Sequence, residues 1–301
     1  MTIVILLATT YLRLSGILWG IAAGPDGNLW FPTMSGIVRM TPAGASTLFS
    51  ASTISGGRAN IAAGPDGRMW FTAPFEHRIG AVTMTGTITE YALPADAMPM
   101  GIAAGADGNV WFGTSNAVGR ITPSGGVTLF PLGEHHEVLD LASGSDGNVW
   151  FVEWPQSSVG RITPEGIVTH FAVPCCAPIA IERADDGALW IAEEKAIIRM
   201  TTAGEPTVVL RTPDFITALS NGWFATDAPR IAHVDGRSIL LAAEARPIND
   251  LVAMPDGSIW ATVEPPPIIC TLACLPGPLP TPVGIIHVDP NQPRRRAIHS
   301  R

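Results

Sequence analysis

One eight-residue unit recurs along this chain of 301 residues and limits what it can fold into. Residues 24–31 read GPDGNLWF, and close copies stand at 64–71 (GPDGRMWF), 105–112 (GADGNVWF) and 144–151 (GSDGNVWF). In the first copy, proline presets φ for a type I turn, aspartate suits the next position, and glycine accepts a left-handed backbone. A strand of small residues precedes each turn and an apolar strand follows it. The unit therefore predicts a β-hairpin.

A second hairpin follows the first within each repeat. Residues 118–130 read VGRITPSGGVTLF and residues 159–171 read VGRITPEGIVTHF, with turns at Pro-Ser-Gly and Pro-Glu-Gly. Two successive hairpins make a four-stranded antiparallel meander. The strand after the first turn is apolar at consecutive positions, as in Leu29-Trp30-Phe31, which indicates that both of its faces are buried.

One tryptophan recurs in each repeat, so the tryptophans give the number of repeats. The first five are 39–41 residues apart, and the last two stand in weaker copies of the unit: Trp30, Trp70, Trp111, Trp150, Trp190, Trp223 and Trp260. Four strands per repeat of about 40–45 residues are typical of a β-propeller. We therefore predict an all-β fold, a seven-bladed β-propeller of four-stranded antiparallel blades, as a single domain over residues 1–301. Because the last repeat lacks a fourth strand, we expect residues 3–14 to close the last blade.

Composition and charge exclude several classes of function. The net charge is −8, and the one basic run, Arg294-Arg295-Arg296, favours a solvated tail over an arm that binds nucleic acid. No apolar run reaches the roughly 18 residues of a membrane span. The apolar N-terminal stretch has no basic residue before it, unlike a signal peptide. We expect a monomer in the cytoplasm with no nucleic-acid or membrane partner, and export only if the start is misassigned.

The spacing of the four cysteines does not distinguish free thiols from disulfides. Cys175 and Cys176 are adjacent, and Cys270 and Cys274 form a CxxxC pair. Neither spacing is that of a zinc site. Free thiols and disulfides both remain open interpretations.

The combined repeat carries a family resemblance. The pattern GIAAGPDGNLWF followed by (V/I)GRITP-x-G-x-(I/V)T-x-F resembles the propellers of the virginiamycin B lyase (streptogramin lyase) family. The resemblance covers nearly the whole chain and is weakest in the sixth repeat and in the proline-rich insertion 265–282. Periplasmic sensor propellers and NHL-type repeats share parts of the same pattern, so the resemblance is more specific for the architecture than for the family.

The resemblance implies a magnesium-dependent lyase that opens a cyclic depsipeptide at its ester bond by elimination. In the family, a Glu-Pro-His before the innermost strand of a late blade supplies a metal ligand and the base. The matching positions here are Pro247, Ile248 and Asn249, and a further family histidine falls near Asp214 and Phe215. None of these residues takes a proton as imidazole does. The resemblance therefore implies the family scaffold without its catalytic set.

Three glutamates follow the second strand of their repeats. Glu153 and Glu193 stand three residues after a repeat tryptophan, and Glu264 stands four after one. In a propeller, the loops that leave second strands and those that enter innermost strands meet at one face. Three carboxylates from three blades could therefore converge there on Mg²⁺. Ordinary polar residues at strand ends are the alternative interpretation.

The densest titratable cluster lies before the innermost strand of the fourth repeat, where residues 134–137 read EHHE. His136 and Glu137 are the candidate catalytic pair, because a histidine beside a carboxylate can be a base or a metal ligand. A solvated loop is the alternative. His77, His170, His233 and His287 are predicted to be surface or structural residues. The candidate ligand-binding residues are Glu134, His135, Trp154, Asn249 and Asp250.

Three functions follow from these observations. The first is a propeller that binds a small cyclic peptide, a sugar or a similar ligand at its mouth, with the family's catalytic residues missing. The second is an active magnesium-dependent carbon–oxygen lyase that opens a streptogramin-type depsipeptide with a base relocated to residues 134–137. The third is a protein-interaction propeller. Whether the chain is an enzyme is left open by its sequence.

Overall fold

The computed structural model describes residues 12–14, 20–51, 54, 59–174, 177–228, 230–240, 248–263 and 283–288. Within these ranges the strands form seven four-stranded antiparallel sheets. None of the described residues belongs to a helix long and apolar enough to cross a membrane. Glu264, Pro247, the four cysteines, the insertion 265–282 and residues 294–296 lie outside the described residues.

Six of the sheets are blades built from four consecutive strands, of which the first is innermost. Blade 1 contains β2 (Ala22–Ala23), β3 (Leu29–Thr33), β4 (Gly36–Met40) and β5 (Ser46–Ser50). Blade 2 contains β6 (Ile61–Ala63), β7 (Met69–Ala73), β8 (Arg78–Val82) and β9 (Ile88–Ala92). Blade 3 contains β10 (Ile102–Ala104), β11 (Val110–Gly113), β12 (Ala117–Ile121) and β13 (Val127–Pro131).

The next three blades repeat the same order. Blade 4 contains β14 (Glu137–Ser143), β15 (Val149–Trp154), β16 (Ser158–Ile162) and β17 (Val168–Ala172). Blade 5 contains β18 (Pro178–Arg183), β19 (Leu189–Glu193), β20 (Ala196–Met200) and β21 (Pro206–Arg211). Blade 6 contains β22 (Ile216–Ser220), β23 (Trp223–Thr226), β24 (Arg230–His233) and β25 (Ser238–Leu240).

The remaining sheet is composite, because its strands come from both ends of the described chain. It contains β26 (Ile248–Ala253), β27 (Ile259–Val263), β28 (Val283–Val288) and, at its outer edge, β1 (Leu12–Leu14). Strand β1 runs antiparallel to β28, with Leu12 opposite Ile285 and Leu14 opposite Val283. This pairing agrees with the expectation that the N-terminal segment completes the last repeat.

The innermost strands are arranged in a cycle. They contact one another in chain order from β2 to β26 in steps of one sheet, and β26 also contacts β2. At that junction, the Ile21 N–H donates to Asp250 Oδ2 at 3.0 Å. The prediction of an all-β propeller with four-stranded antiparallel blades is confirmed.

The second strand of each blade is buried on both faces, as its apolar sequence predicted. Trp150 packs toward blade 5 with Ile181 and Ile191, whereas Phe151 packs toward blade 3 with Trp111 and Val118. Each blade therefore lies between two apolar layers, and burying both faces of its second strand is the main stabilisation of the ring.

The recurring turn has a further role, because its aspartate also fixes the tryptophan. Asp146 Oδ1 accepts a hydrogen bond from Trp150 Nε1 at 3.2 Å. The Trp150 ring stacks on Phe171 at 5.1 Å between centroids, and the Arg161 guanidinium lies 5.5 Å from the Trp150 ring centre. Blades 1 to 3 repeat the aspartate–indole bond at 3.0, 3.0 and 3.1 Å. This contact explains why the whole eight-residue unit recurs.

Candidate functional site

One face of the propeller, here called the loop face, carries the loops after second strands and the loops before innermost strands. These loops share a face because the strands of each blade alternate in direction. Among the described residues, four large apolar side chains are exposed there, from blades 1, 2, 4 and 6. They are Met34 (51%), Phe75 (60%), Trp154 (49%) and Phe215 (44%). The loop face therefore offers apolar contact area to a ligand or partner.

The loop between β13 and β14 positions His136 on this face. Both of its ends are tied to blade 3, since the Leu132 N–H donates to Asn116 O at 2.9 Å and the Val138 N–H donates to Thr114 O at 3.0 Å. Left-handed backbone at Gly133 (φ 106°) and His135 (φ 65°) tightens the loop between these anchors. Glu134 and His135 are exposed, whereas His136 is partly buried.

Glu153 is the centre of the site, and its side chain is fully buried near the end of β15. Its Oε2 lies 2.7 Å from His136 Nδ1, and its Oε1 lies 2.9 Å from His170 Nε2. The Ser158 hydroxyl donates to the same Oε1 at 3.1 Å. A buried carboxylate needs such partners, because an unpaired charge loses its hydration without compensation.

The register of blade 4 brings His170 to Glu153. Gly160 of β16 pairs with both Phe151 of β15 and His170 of β17. A Cβ on Gly160 would lie 2.0 Å from Phe151 Cζ, so only glycine lets the Phe151 ring cover this position. The Phe151 ring meets His170 edge-on, with centroids 6.2 Å apart and an interplanar angle of 86°. The Phe151 ring therefore lies over Gly160 and packs beside His170.

Comparison of the blades shows that this cluster departs from the repeat. The position of Glu153 is threonine in blades 1, 3 and 6, where Thr33, Thr114 and Thr226 donate to a carbonyl of their own loop at 2.8–3.0 Å. The residues that take the register position of His170 in blades 1, 2, 3 and 5 are Leu48, Glu90, Leu129 and Val208. In those blades the position of His170 is never histidine.

The other predicted site residues lie at separate places in the structure. Glu137 begins β14 and pairs with Trp154, so it lies beside the cluster, but it is not one of the three clustered side chains. Glu193 is buried at the equivalent position in blade 5, and within the described ranges it is not grouped with Glu153. Asn249 lies in β26 beside Asp250. The Phe215 N–H donates to Asp227 Oδ1 at 2.9 Å, which holds the exposed Phe215 in place.

Asp250, one of the predicted ligand-binding residues, joins two innermost strands. Its Oδ2 accepts from the Ile21 N–H and its Oδ1 from the Leu251 N–H, both within 3.0 Å. Asp140 does the same between blades 4 and 5 through the Ile181 and Leu141 amides. Burial raises the pKa of Asp140 and of Asp250 to about 7, since both carboxyls lose hydration around the axis.

A third carboxyl shares this region. Burial also raises the pKa of Glu182 to about 7, against the opposing effect of backbone N–H groups from Gly222 and Asn221, and the charge of Asp140 adds to the rise. Because these groups accept hydrogen bonds from the next blade, their first role is to connect adjacent blades.

Sequence reasoning singled out His136 and Glu153 but took His170 for a surface or structural residue. The signal lay in the repeat itself, where VGRITPEGIVTHF has histidine at the place of leucine in VGRITPSGGVTLF. The same blade has glutamate where three others have threonine. Reading both departures together would have indicated the cluster.

The fold and this cluster define the class of protein: an all-β propeller with a histidine–carboxylate cluster on its loop face. The virginiamycin B lyase family model matches residues 13–271, and the chain belongs to that family. Comparison with curated protein sequences gives no significant match.

Solved structures of lyases share the fold over most of their length. A streptogramin B lyase is 26% identical, with a TM-score of 0.79 over 92% of this chain and 96% of the other. Virginiamycin B lyase from Staphylococcus aureus is 27% identical, with a TM-score of 0.77 over 93% and 99%. A catalytically inactive form of the Staphylococcus aureus enzyme with quinupristin matches at 26% identity, a TM-score of 0.77 and the same coverage.

Proposed function

We propose that the chain is a binding propeller of the virginiamycin B lyase family that takes a small cyclic peptide, a sugar or a similar ligand at its loop face. The observation that carries the proposal is the replacement of the family's Glu-Pro-His by Pro247, Ile248 and Asn249. In this proposal, residues 1–301 form one domain in which the composite sheet serves as the seventh blade.

The exposed apolar side chains of the loop face support binding. Met34, Phe75, Trp154 and Phe215 come from four blades, so they surround the face instead of forming one strip. Aromatic side chains are well suited to stack on the rings of a cyclic peptide or a sugar. A related enzyme in an inactive form is known with quinupristin, which makes this compound the natural first probe.

The described residues do not fit a magnesium site at the family's position. Mg²⁺ takes carboxylate and water oxygens, whereas Ile248 and Asn249 offer no carboxylate and both oxygens of Asp250 accept backbone N–H groups. We therefore propose that ligand binding there is independent of Mg²⁺.

Calorimetric titration with quinupristin tests the proposal. We expect quinupristin to bind with the same affinity in Mg²⁺ and in EDTA. Mass spectrometry of the bound compound should show that its ring stays closed. Trp154→Ala should weaken binding by about tenfold or more, as loss of an aromatic contact does. Ile167→Ala is the matched control, because Ile167 is 64% exposed in the turn between β16 and β17, at the opposite edge of the same blade. Absence of binding, or equal loss in both variants, contradicts the proposal and favours a protein-interaction role.

A second candidate, an active lyase with a relocated base, is favoured by the His136–Glu153 pair. The buried carboxylate holds Nδ1 of His136 at 2.7 Å, which orients the ring and leaves Nε2 to accept a proton. Ring opening of quinupristin that is lost in both His136→Ala and Glu153→Gln would establish this candidate in place of binding alone.

A further inference from the structure

We propose that His136, Glu153 and His170 form a binding site for a divalent transition-metal ion of the zinc class. This inference does not rest on the proposed ligand binding at the loop face, and it concerns blade 4 and the loop that enters it.

The distances between the donor atoms suit a single small ion. One donor atom from each of the three side chains lies within 4.8 Å of the other two. Tetrahedral zinc with bonds of about 2.0–2.1 Å places its donors about 3.4 Å apart. The present contacts of Glu153 with the imidazoles are 2.7 and 2.9 Å, so an ion entering between them needs movements of roughly half an ångström.

The chemistry of the donors selects the kind of ion. Two imidazoles and one carboxylate suit zinc and its neighbours in the first transition row, whereas Mg²⁺ and Ca²⁺ take oxygen ligands. Three protein ligands leave a fourth position open to water or to a bound molecule. The partial exposure of His136 and His170, at 23% and 41% of their side chains, gives the ion a route from solvent.

The surroundings hold the ligands in place. Ser158 donates to Glu153 Oε1 at 3.1 Å, the kind of outer hydrogen bond that orients a ligating carboxylate. Phe151 forms an apolar wall against His170, and both ends of the loop that carries His136 are tied to blade 3. Ligands fixed in this way lose little conformational freedom when an ion binds.

The fold alone does not require this cluster. Threonine fills the position of Glu153 in three blades and satisfies the loop with one local hydrogen bond. Replacing it with a buried carboxylate adds a desolvation cost, and the cost is offset only because two histidines and a serine converge on the same point. Glu193 repeats the buried glutamate in blade 5 without belonging to a metal-type cluster of the described residues.

Titration of the metal-free full chain with Zn²⁺, and with Co²⁺ as a spectroscopic probe, tests the site. We expect one ion per chain with a visible Co²⁺ band of tetrahedral type, and a melting temperature that rises with Zn²⁺ concentration. Glu153→Gln and His170→Gln should lower the affinity by more than about 100-fold, and Ser158→Ala by about tenfold.

Two matched variants control for folding and for other ligands. Glu193→Gln changes the equivalent buried glutamate, and His233→Gln changes another histidine that lies 2.9 Å from a carboxylate, that of Asp235. Both should bind as the unmodified chain does. Every variant retains the four cysteines, so the difference between variants isolates the cluster.

Three results would overturn the inference. They are failure of the unmodified chain to bind either ion, equal loss of binding in Glu193→Gln, and a Co²⁺ spectrum that His170→Gln does not change. Metal bound at His136 Nδ1 also prevents that ring from acting as a base. Ring opening that depends on His136 but persists in EDTA therefore counts against the metal site.

Discussion

Glu153 shows how one residue can change the role of a repeated position. The threonines at this place in blades 1, 3 and 6 close their own loops with a single hydrogen bond. Glutamate is longer, so its carboxylate extends past the loop to side chains of β16, β17 and the preceding loop. The backbone of the blade is kept while the contacts of the position change.

Substitution of Gly160 tests how closely this part of blade 4 is packed. In Gly160→Ala the new Cβ would meet Phe151 Cζ at 2.0 Å, and the ring has no free space because Phe151 is fully buried. We expect the free energy of unfolding to fall by about 1–3 kcal/mol, as overpacking does. Urea denaturation measures the change.

The control is Gly126→Ala in blade 3. The nearest atom to its added Cβ is Thr122 Oγ1 at 3.2 Å, at the end of an exposed turn, so stability should change little. Equal stability of the two variants would show that Phe151 does not depend on Gly160.

At the scale of single residues, the sequence singles out candidate residue types but not the contacts that these residues make. His136 was singled out because it lies in the densest titratable cluster of the sequence, and Glu153 because it stands three residues after a repeat tryptophan. Their 2.7 Å contact and the arrival of His170 were not predictable locally, since they depend on the register across three strands. The contact of Asp250 with Ile21 was not predictable for a similar reason, because the two residues are 229 positions apart.

Among the elements, the hairpins were the most predictable. Turn chemistry identified the strand that follows each GPDG-type unit, and the aspartate–indole contact gives that unit a second reason to recur. Innermost strands were harder, because small residues such as those of β2 and β6 carry little pattern of their own. Their place around the axis is recognisable only from the repeat.

The buried carboxyl groups on the innermost strands should make the stability of the fold depend on pH. Burial raises the folded-state pKa values of Asp140, Glu182 and Asp250 to about 7, from ordinary values of 3.8, 4.5 and 3.8. Between about pH 4 and about pH 7, these three carboxyl groups hold more protons in the folded chain than in the unfolded chain. The free energy of unfolding should therefore decrease as the pH rises through this range. Because the three groups keep some exposure to solvent, we expect on the order of 1–2 kcal/mol each.

Urea denaturation at several values of pH between 5 and 8 measures this effect. Asp140→Asn should show a smaller fall in stability across that range, although it loses one backbone hydrogen bond at every pH. Glu165→Gln, in the exposed turn between β16 and β17, is the control and should keep the full fall. A wild-type stability that rises across this range would contradict the assigned cause.

For the whole molecule, the composite sheet is the element that joins the ends of the described chain. Its β26 contacts both β22 and β2, and the side chains of Val252 and Trp260 pack with Phe31 of blade 1. Because the innermost strands of the described sheets contact one another in a cycle, none of these described sheets is a terminal repeat with an exposed flank.

Proline substitution of β1 tests this closure. Amide direction alternates along a strand, so one of two adjacent residues directs its N–H to β28. Leu12→Pro with Arg13→Pro should therefore break a β1–β28 hydrogen bond and lower the free energy of unfolding by about 1–3 kcal/mol. It should also promote aggregation through the bared edge of β28. Leu12→Ala with Arg13→Ala keeps both amides and is the control; equal loss in both pairs would mean that strand pairing is not the cause.

The pairing of β1 with β28 also limits when this sheet can be completed during synthesis of the chain. Blades 1 to 6 are each made of consecutive strands, so each can assemble soon after its own residues emerge. Leu12 precedes these six blades in the chain, whereas its partner Ile285 follows them. Strand β1 must therefore stay unpaired with β28 until all six blades have been synthesised.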